Sequence, residues 1–176
     1  STALQELTDA FLYLVRYKFD CNEQVASKIL AILALKDVLE AFNCSQLPSK
    51  GTLAKNIEDG LKQLAKNQRH DGQYGYWGKT STPSAFVTVH IAHCLVRCKA
   101  LNYSVNTRTL DNVKEVLLNI EQHMTADYYS VETKRAIRAY ACYVLALSGD
   151  EKASQKAYSL YTSAKIENFS LESLGW

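Results

Sequence analysis

The sequence predicts an all-α fold of stacked antiparallel helical hairpins, part of a helical solenoid or toroid, on three observations. Apolar residues recur at intervals of three and four along most of the 176 residues. Glycine and proline, which punctuate helices, number only 7 and 2, below the roughly 7% and 5% of average usage. No run alternates with period two over a convincing length, so no strand is expected.

Leu4, Leu7, Phe11 and Leu14 put one apolar stripe on a first helix over about Ala3 to Arg16. After an interruption from Tyr17 to Asn22, the residues Val25, Ile29, Ile32, Leu33, Lys36 and Leu39 carry a second helix to about Phe42. It is nearly apolar all round from Ile29 to Leu35 and is therefore expected to be deeply buried. A loop containing Pro48 leads to a third helix marked by Leu53, Ile57, Leu61 and Leu64, ending near Gln68. Arg69 to Pro83 is a longer irregular segment in which Gly72, Gly75 and Gly78 stand among Tyr74, Tyr76 and Trp77. A glycine-rich aromatic loop between helices usually has a specific task.

Ser84 is a suitable N-cap for a fourth helix with Val87, Ile91, Leu95 and Cys98 on one face and Phe86, His90, His93 and Arg97 on another. Leu110, Val113, Leu117, Ile120 and Met124 form a fifth stripe. Ile137, Tyr140, Val144 and Leu147 form a sixth, closed by Gly149, and Ala153, Ala157, Leu160, Tyr161 and Ala164 a seventh. Helical hairpins of this kind bury their apolar faces only by stacking on neighbours. The odd number of helices, with Leu171 to Trp176 opening a further element, makes residues 1–176 a single helical domain expected to be cut short at its C-terminal end.

Charge and composition exclude several classes. Twenty Lys and Arg oppose 18 Asp and Glu, and no basic run stands clear of acidic neighbours, so no nucleic-acid partner is expected. The longest uncharged apolar stretch, Ala139 to Leu147, falls far short of the roughly 20 residues that span a bilayer. Any membrane anchoring is expected to come from a parent chain, and the opening Ser1-Thr2-Ala3 lacks a signal-peptide pattern. Five cysteines, Cys21, Cys44, Cys94, Cys98 and Cys142, leave at least one unpaired within the chain.

The sharpest local feature is Cys21-Asn22-Glu23-Gln24, where a loop becomes the second helix. A spacing of three brings the Cys21 and Gln24 side chains within reach across one turn. The sulfur can there attack the glutamine carbonyl and expel ammonia, leaving a thioester, an acyl group activated toward amines and hydroxyls. The same residues also fit an inert helix entry, with Glu23 and Gln24 as first-turn polar residues favoured by the helix dipole.

Cys21-Asn22-Glu23-Gln24 resembles the Cys-x-Glu-Gln thioester motif of the alpha-2-macroglobulin and complement family, with Tyr13-Leu14 upstream and Val25-Ala26-Ser27 downstream also matching. Bacterial members commonly read Tyr-Pro-Tyr-Gly-Cys-x-Glu-Gln; here Tyr17-Lys18-Phe19-Asp20 precedes the cysteine, so Asp20 stands where that glycine would be. Gln68 to Gly78 resembles the Gln-x-x-Asp-Gly-Gly-Phe-Gly-Tyr-Trp stretch of bacterial members, and Asn102-Tyr103-Ser104-Val105 their Gly-Tyr-x-Val helix exit. The two motifs stand in the family's order over about Leu4 to Val105. Gln68-x-x-x-Gly72-x-Tyr74 is similar to a repeat of terpene cyclases and protein prenyltransferases, which share the family's α/α toroid.

The resemblance implies a partial α/α toroid and a thioester domain of a protease-trapping inhibitor. Cys21 and Gln24 would form the bond and Glu23 would support the motif; the Tyr76 and Trp77 rings fit either of two tasks, shielding the bond from water or capping the toroid core. Partners would be target proteases, held by a covalent crosslink to lysine amines, and other domains of the parent chain. The location would be extracellular or periplasmic and associated with the cell envelope. The domain would be no enzyme and would need no cofactor or metal. In some complement members a histidine relays the acyl group; Ser81 to Ser84, where it would fall, holds none, and His123 is its rival. His90 and His93 offer two metal ligands without a third at suitable spacing, so packing histidines are expected. Cys94 and Cys98, one helical turn apart, are expected to be buried thiols. The competing readings are a toroid enzyme of the prenyltransferase or cyclase class and a noncatalytic helical scaffold. Neither the zinc set nor the Asp-rich motif of such enzymes is seen.

Overall fold

The seven stripes fold as α1 (Thr2–Arg16), α2 (Asn22–Ala41), α3 (Lys50–Asn67), α4 (Ala85–Ala100), α5 (Thr107–Leu118), α6 (Val131–Leu147) and α7 (Glu151–Ser163), with a 3₁₀ turn at Ile120–His123. This computed structural model describes residues 2–17, 21–42, 47–125, 127–149 and 151–163. Asp20, Cys44, Ala164 and Leu171 to Trp176 lie outside the described residues, as do the side chains of Leu39, Leu160 and Tyr161. Among the described residues there is no strand.

Helices α2, α4 and α6 pack against one another in a row, and α1, α3, α5 and α7 lie against that row. An inner and an outer set of antiparallel helices is the α/α toroid arrangement. Burial follows the same division. Helix α2 buries Val25, Ala26, Ile29, Ile32 and Leu33, and α4 buries ten of its 16 residues, whereas α3 buries only the single stripe Leu53, Ile57, Leu61 and Leu64. An inner helix meets neighbours on several sides and so must be apolar around most of its circumference.

Side-chain caps fix where the helices begin. Ser49, Ser84, Asn106 and Ser130 each accept a hydrogen bond from the backbone N–H three residues on, satisfying a donor that the first turn leaves free. Helix α4 ends in a Schellman motif: Tyr103 N–H donates to Cys98 O, Asn102 N–H donates to Lys99 O, and Asn102 has φ +63°. Asn102 thus occupies the left-handed position that closes this motif. Asparagine tolerates that conformation better than most residues.

Two stripes differ from the periodic reading. In α1 the buried residues are Thr8, Phe11 and Leu12, while Leu7 and Leu14 are exposed. Thr8 lies on the inner face because its hydroxyl is satisfied locally, donating to Leu4 O at 2.8 Å. The fifth stripe is no single helix: α5 stops at Leu118, and Ile120 and Met124 reach the core through the 3₁₀ turn. At the break the Asn119 side chain bonds Glu115 O, drawing a backbone carbonyl onto a side chain.

Candidate functional site

Cys21 stands immediately before α2, a buried free thiol. Its carbonyl accepts the first helical bond, from Val25 N–H at 2.9 Å, and its own N–H donates to Gln24 Oε1 at 2.9 Å. A glutamine at the third helical position reaching back to the preceding N–H is half of a capping box. The fold therefore turns the Gln24 carboxamide back onto the Cys21 backbone N–H.

Asn22, between them, is fully buried. Its backbone N–H donates to Tyr76 O at 2.6 Å, and its carboxamide Nδ2 donates to Gly75 O at 2.9 Å and Trp77 O at 2.6 Å. Its Oδ1 accepts from Asn67 Nδ2 at 2.8 Å, at the last residue of α3. Three consecutive carbonyls of the aromatic loop are thus tied to the residue beside Cys21. Tyr76 and Trp77, 47% and 65% exposed, meet this end of α2 through their backbone carbonyls.

The loop is rigidly built. Tyr74 is buried, with its hydroxyl donating to Leu64 O, its N–H to Thr88 Oγ1, and its carbonyl accepting from Ser84 N–H. Burial pushes its phenol pKa up. Arg69 bonds the carbonyls of Lys79 and Ser81 and pairs with Asp71, whose carboxylate also accepts from Gln73 N–H. The Asp71 pKa lies below its ordinary value; burial, the largest influence, acts upward and is outweighed by those hydrogen bonds and the positive charge of Arg69. Gly72 has φ +80°, and a Cβ there would meet Asn112 O at 2.8 Å. Gln68 Nε2 bridges Gly72 O and Thr109 O, which docks the base of the loop on α5.

Glu23 opens a second set of contacts. Ser27 Oγ donates to Glu23 Oε1 at 2.7 Å and meets His90 Nε2 at 2.8 Å. His90 Nδ1 and His93 Nδ1 both meet the Tyr140 hydroxyl, at 3.0 and 2.9 Å. A carboxylate can only accept, and Ser27 and Tyr140 each have one hydroxyl proton. One assignment satisfies every bond with both rings neutral: His93 Nδ1–H to Tyr140, Tyr140 O–H to His90 Nδ1, His90 Nε2–H to Ser27, and Ser27 O–H to Glu23. The chain runs from α6 and α4 to the motif on α2. His90 and His93, read from sequence as packing residues, are ordered members of it.

Burial lowers the pKa of both histidines, with Glu23 acting upward on His90. His93 falls to about 4 from 6.5, with His90 and Arg97 adding to the effect of burial. An unfolded chain would bind protons near 6.5 that the fold refuses, so this contribution to stability is present above pH 6.5 and is lost as pH falls toward 4. The melting temperature is expected to drop across that window. In His93→Gln the drop should be shallower when thermal melts are compared at matched pH, and equal slopes would remove His93 as the cause.

Other expected ligands and nucleophiles do not converge on Cys21. His123 lines a cavity of about 270 Å³ with His70, Asp71, Glu115 and Asn119, and Cys21 is not among its walls. Cys94 and Cys98 are free and buried, and burial raises the Cys94 thiol pKa well above its ordinary value. Cys142 is pushed up to about 11, again chiefly by burial. Among the described residues no three His, Cys, Asp or Glu side chains are placed to hold a metal ion. No described helix is long and apolar enough to cross a membrane. Asn22, Asn67 and Ser27 were missed as site residues by sequence reasoning. The i, i+4 spacing of Glu23 and Ser27 was the one available signal.

Comparison with known proteins points the same way. The family model of the A-macroglobulin TED domain matches residues 1–136. Alpha-2-macroglobulin of Escherichia coli K12 is 28% identical over 142 residues, covering 74% of this chain and 8% of that protein. Circularly permutated Ras protein 2 of Dictyostelium discoideum is 24% identical over 190 residues, covering all of this chain but 5% of that protein, so its name carries no argument about the matched segment. The native conformation of E. coli alpha-2-macroglobulin superposes with a TM-score of 0.76 at 25% identity over 93% of this chain and 10% of that one. The chain therefore spans a tenth or less of these much longer relatives.

Proposed function

The chain belongs to the A-macroglobulin TED domain family, and on that premise we propose that it carries an internal thioester between Cys21 Sγ and Gln24 Cδ for covalent capture of proteases. The hydrogen bond from Cys21 N–H to Gln24 Oε1 carries this reading, because it holds the carboxamide folded back on the cysteine. The residues supply the steps. Cys21 sulfur attacks Gln24 Cδ and ammonia leaves. An incoming lysine amine then adds to Cδ, the C–S bond breaks with its electron pair going to sulfur, and the amine's proton ends on that sulfur. The products are an amide crosslink at position 24 and a free Cys21 thiol. The domain acts once, as an acyl donor, and is not a turnover catalyst. No relay histidine is assigned, so amines are its preferred acceptors.

The parent protein is read as a protease trap of the bacterial alpha-2-macroglobulin kind, extracellular or periplasmic, with residues 1–176 as one unit of its thioester domain. Membrane anchoring, where present, belongs to the parent chain. Tyr76 and Trp77 contribute to shielding through the backbone that their loop lays over α2. Mass spectrometry of the Cys21–Gln24 peptide, from the intact protein with and without methylamine, tests this. A deficit of one ammonia, converted by methylamine to a methylamide on Gln24 with a new Cys21 thiol, is the expected result. An unmodified Gln24 that takes up no methylamine would overturn it.

A further inference from the structure

Asn22 supplies nothing to the thioester bond itself, yet its contacts decide what lies over it. We propose that Asn22 is a positioning residue that clamps the Gly75–Trp77 backbone across the end of α2 and so restricts water's access to the Cys21–Gln24 bond. The inference rests on the thioester reading above. The first N–H groups of a helix point out of its end along the axis. Tyr76 O, which accepts from Asn22 N–H, therefore lies beyond the end of α2, on the side where Cys21 enters. The two Nδ2 donors take the flanking carbonyls of Gly75 and Trp77, and Asn67 Nδ2 fixes which way the carboxamide faces by holding Oδ1. An aliphatic side chain could fill the same space but could not hold those carbonyls. Cys21, next in the chain, is 7% exposed.

The consequence is a choice of nucleophile. Water adding to Gln24 Cδ breaks the C–S bond, leaves a glutamate at position 24 and a thiol at Cys21, and ends the protein's capacity to crosslink. A loop tied down by three carbonyls slows that loss until a larger rearrangement presents the bond to an amine.

Asn22→Asp is the sharpest test, because it keeps the size of the side chain while setting carboxylate oxygens against the Gly75 and Trp77 carbonyls. In the intact protein, hydrogen exchange at Gly75–Gly78, spontaneous loss of the thioester, and alkylation of Cys21 by iodoacetamide in a Gln24→Ala background should each speed up about tenfold or more. Asn67→Ala should move all three the same way by less. Lowering the pH to protonate the introduced carboxyl returns one donor, so the ratio of variant to wild-type rates should fall toward one. A simple packing defect would show no such recovery. The groups bonded to Asn22 are carbonyls and a carboxamide, and the ionisable residues beside it in the chain, Cys21 and Glu23, are present in both proteins. Unchanged loop exchange in Asn22→Asp would overturn the clamp. Faster exchange with unchanged thioester loss and unchanged alkylation would overturn the shielding. If wild-type protein contains no thioester, the capture mechanism falls on the mass measurement, while exchange and alkylation in the Gln24→Ala background still decide the clamp.

Discussion

Cys21→Ala and Gln24→Ala are each expected to abolish methylamine incorporation while leaving the helical fold in place. The effect is all or none, because the proposed thioester has one sulfur and one acyl carbon, and among the described residues no other thiol is placed beside Gln24. Cys94 and Cys98 sit buried within α4, and Cys142 lies in α6 with its thiol pKa raised to about 11; a thiol so rarely ionised is a poor nucleophile. The structural costs are small by comparison. Cys21→Ala removes one buried sulfur at a helix entrance, and Gln24→Ala removes a capping hydrogen bond with a net value of about 1 kcal/mol. Circular dichroism and a thermal melt should therefore remain close to wild type while radiolabelled methylamine uptake falls to background. Glu23→Gln separates the pair from its support. It keeps the sulfur and the carboxamide but turns a double acceptor beside Ser27 and His90 into a group that also donates. Reduced incorporation, short of complete loss, is expected there. Uptake persisting in Gln24→Ala would show that the acyl carbon lies elsewhere in the chain.

How far this site could be read in advance depends on the range of the interactions that build it. Cys21 and Gln24 stand one turn apart, so spacing alone pairs them, and Ser84 and Gly149 bound their helices by local capping chemistry. The apolar run in α2 announces an inner helix because burial leaves its mark on composition. Asn22 leaves no such mark. Its partners lie 45 to 55 positions away, at Asn67, Gly75 and Trp77, and a buried asparagine looks like any other polar residue in a first turn. The same holds for His90, whose meeting with Ser27 spans 63 positions and whose partner Tyr140 reads as one more apolar residue in the α6 stripe. The Leu7 and Leu14 positions mislead for a different reason. Periodicity counts apolar residues, whereas Thr8 shows that a polar one can be buried when its hydroxyl bonds its own helix.

Gly75→Ala is expected to damage the aromatic loop, lowering stability by about 2–4 kcal/mol. A Cβ at this position would fall on the Ser81 hydroxyl and the Thr82 carbonyl, well inside contact distance. Ser81 could turn away at the expense of its bond to Gly78 O, but a backbone carbonyl cannot rotate. Nor can residue 75 retreat, since Tyr74 is held by Thr88 and Ser84 on one side and Tyr76 by Asn22 on the other. Overpacking of this kind costs about 1–3 kcal/mol, and the displaced Gly75 carbonyl loses its bond to Asn22, worth about 1 kcal/mol more. For a domain of this size the melting temperature should fall by about 5–15 °C. Gly78→Ala is the internal control: a Cβ there has nothing within 4 Å, so the variant should melt close to wild type. Adding Ser81→Ala to Gly75→Ala should recover only part of the loss, because the Thr82 carbonyl remains. Equal melting temperatures for Gly75→Ala and Gly78→Ala would mean that the loop yields, and a loop that yields so easily could not keep water from Cys21.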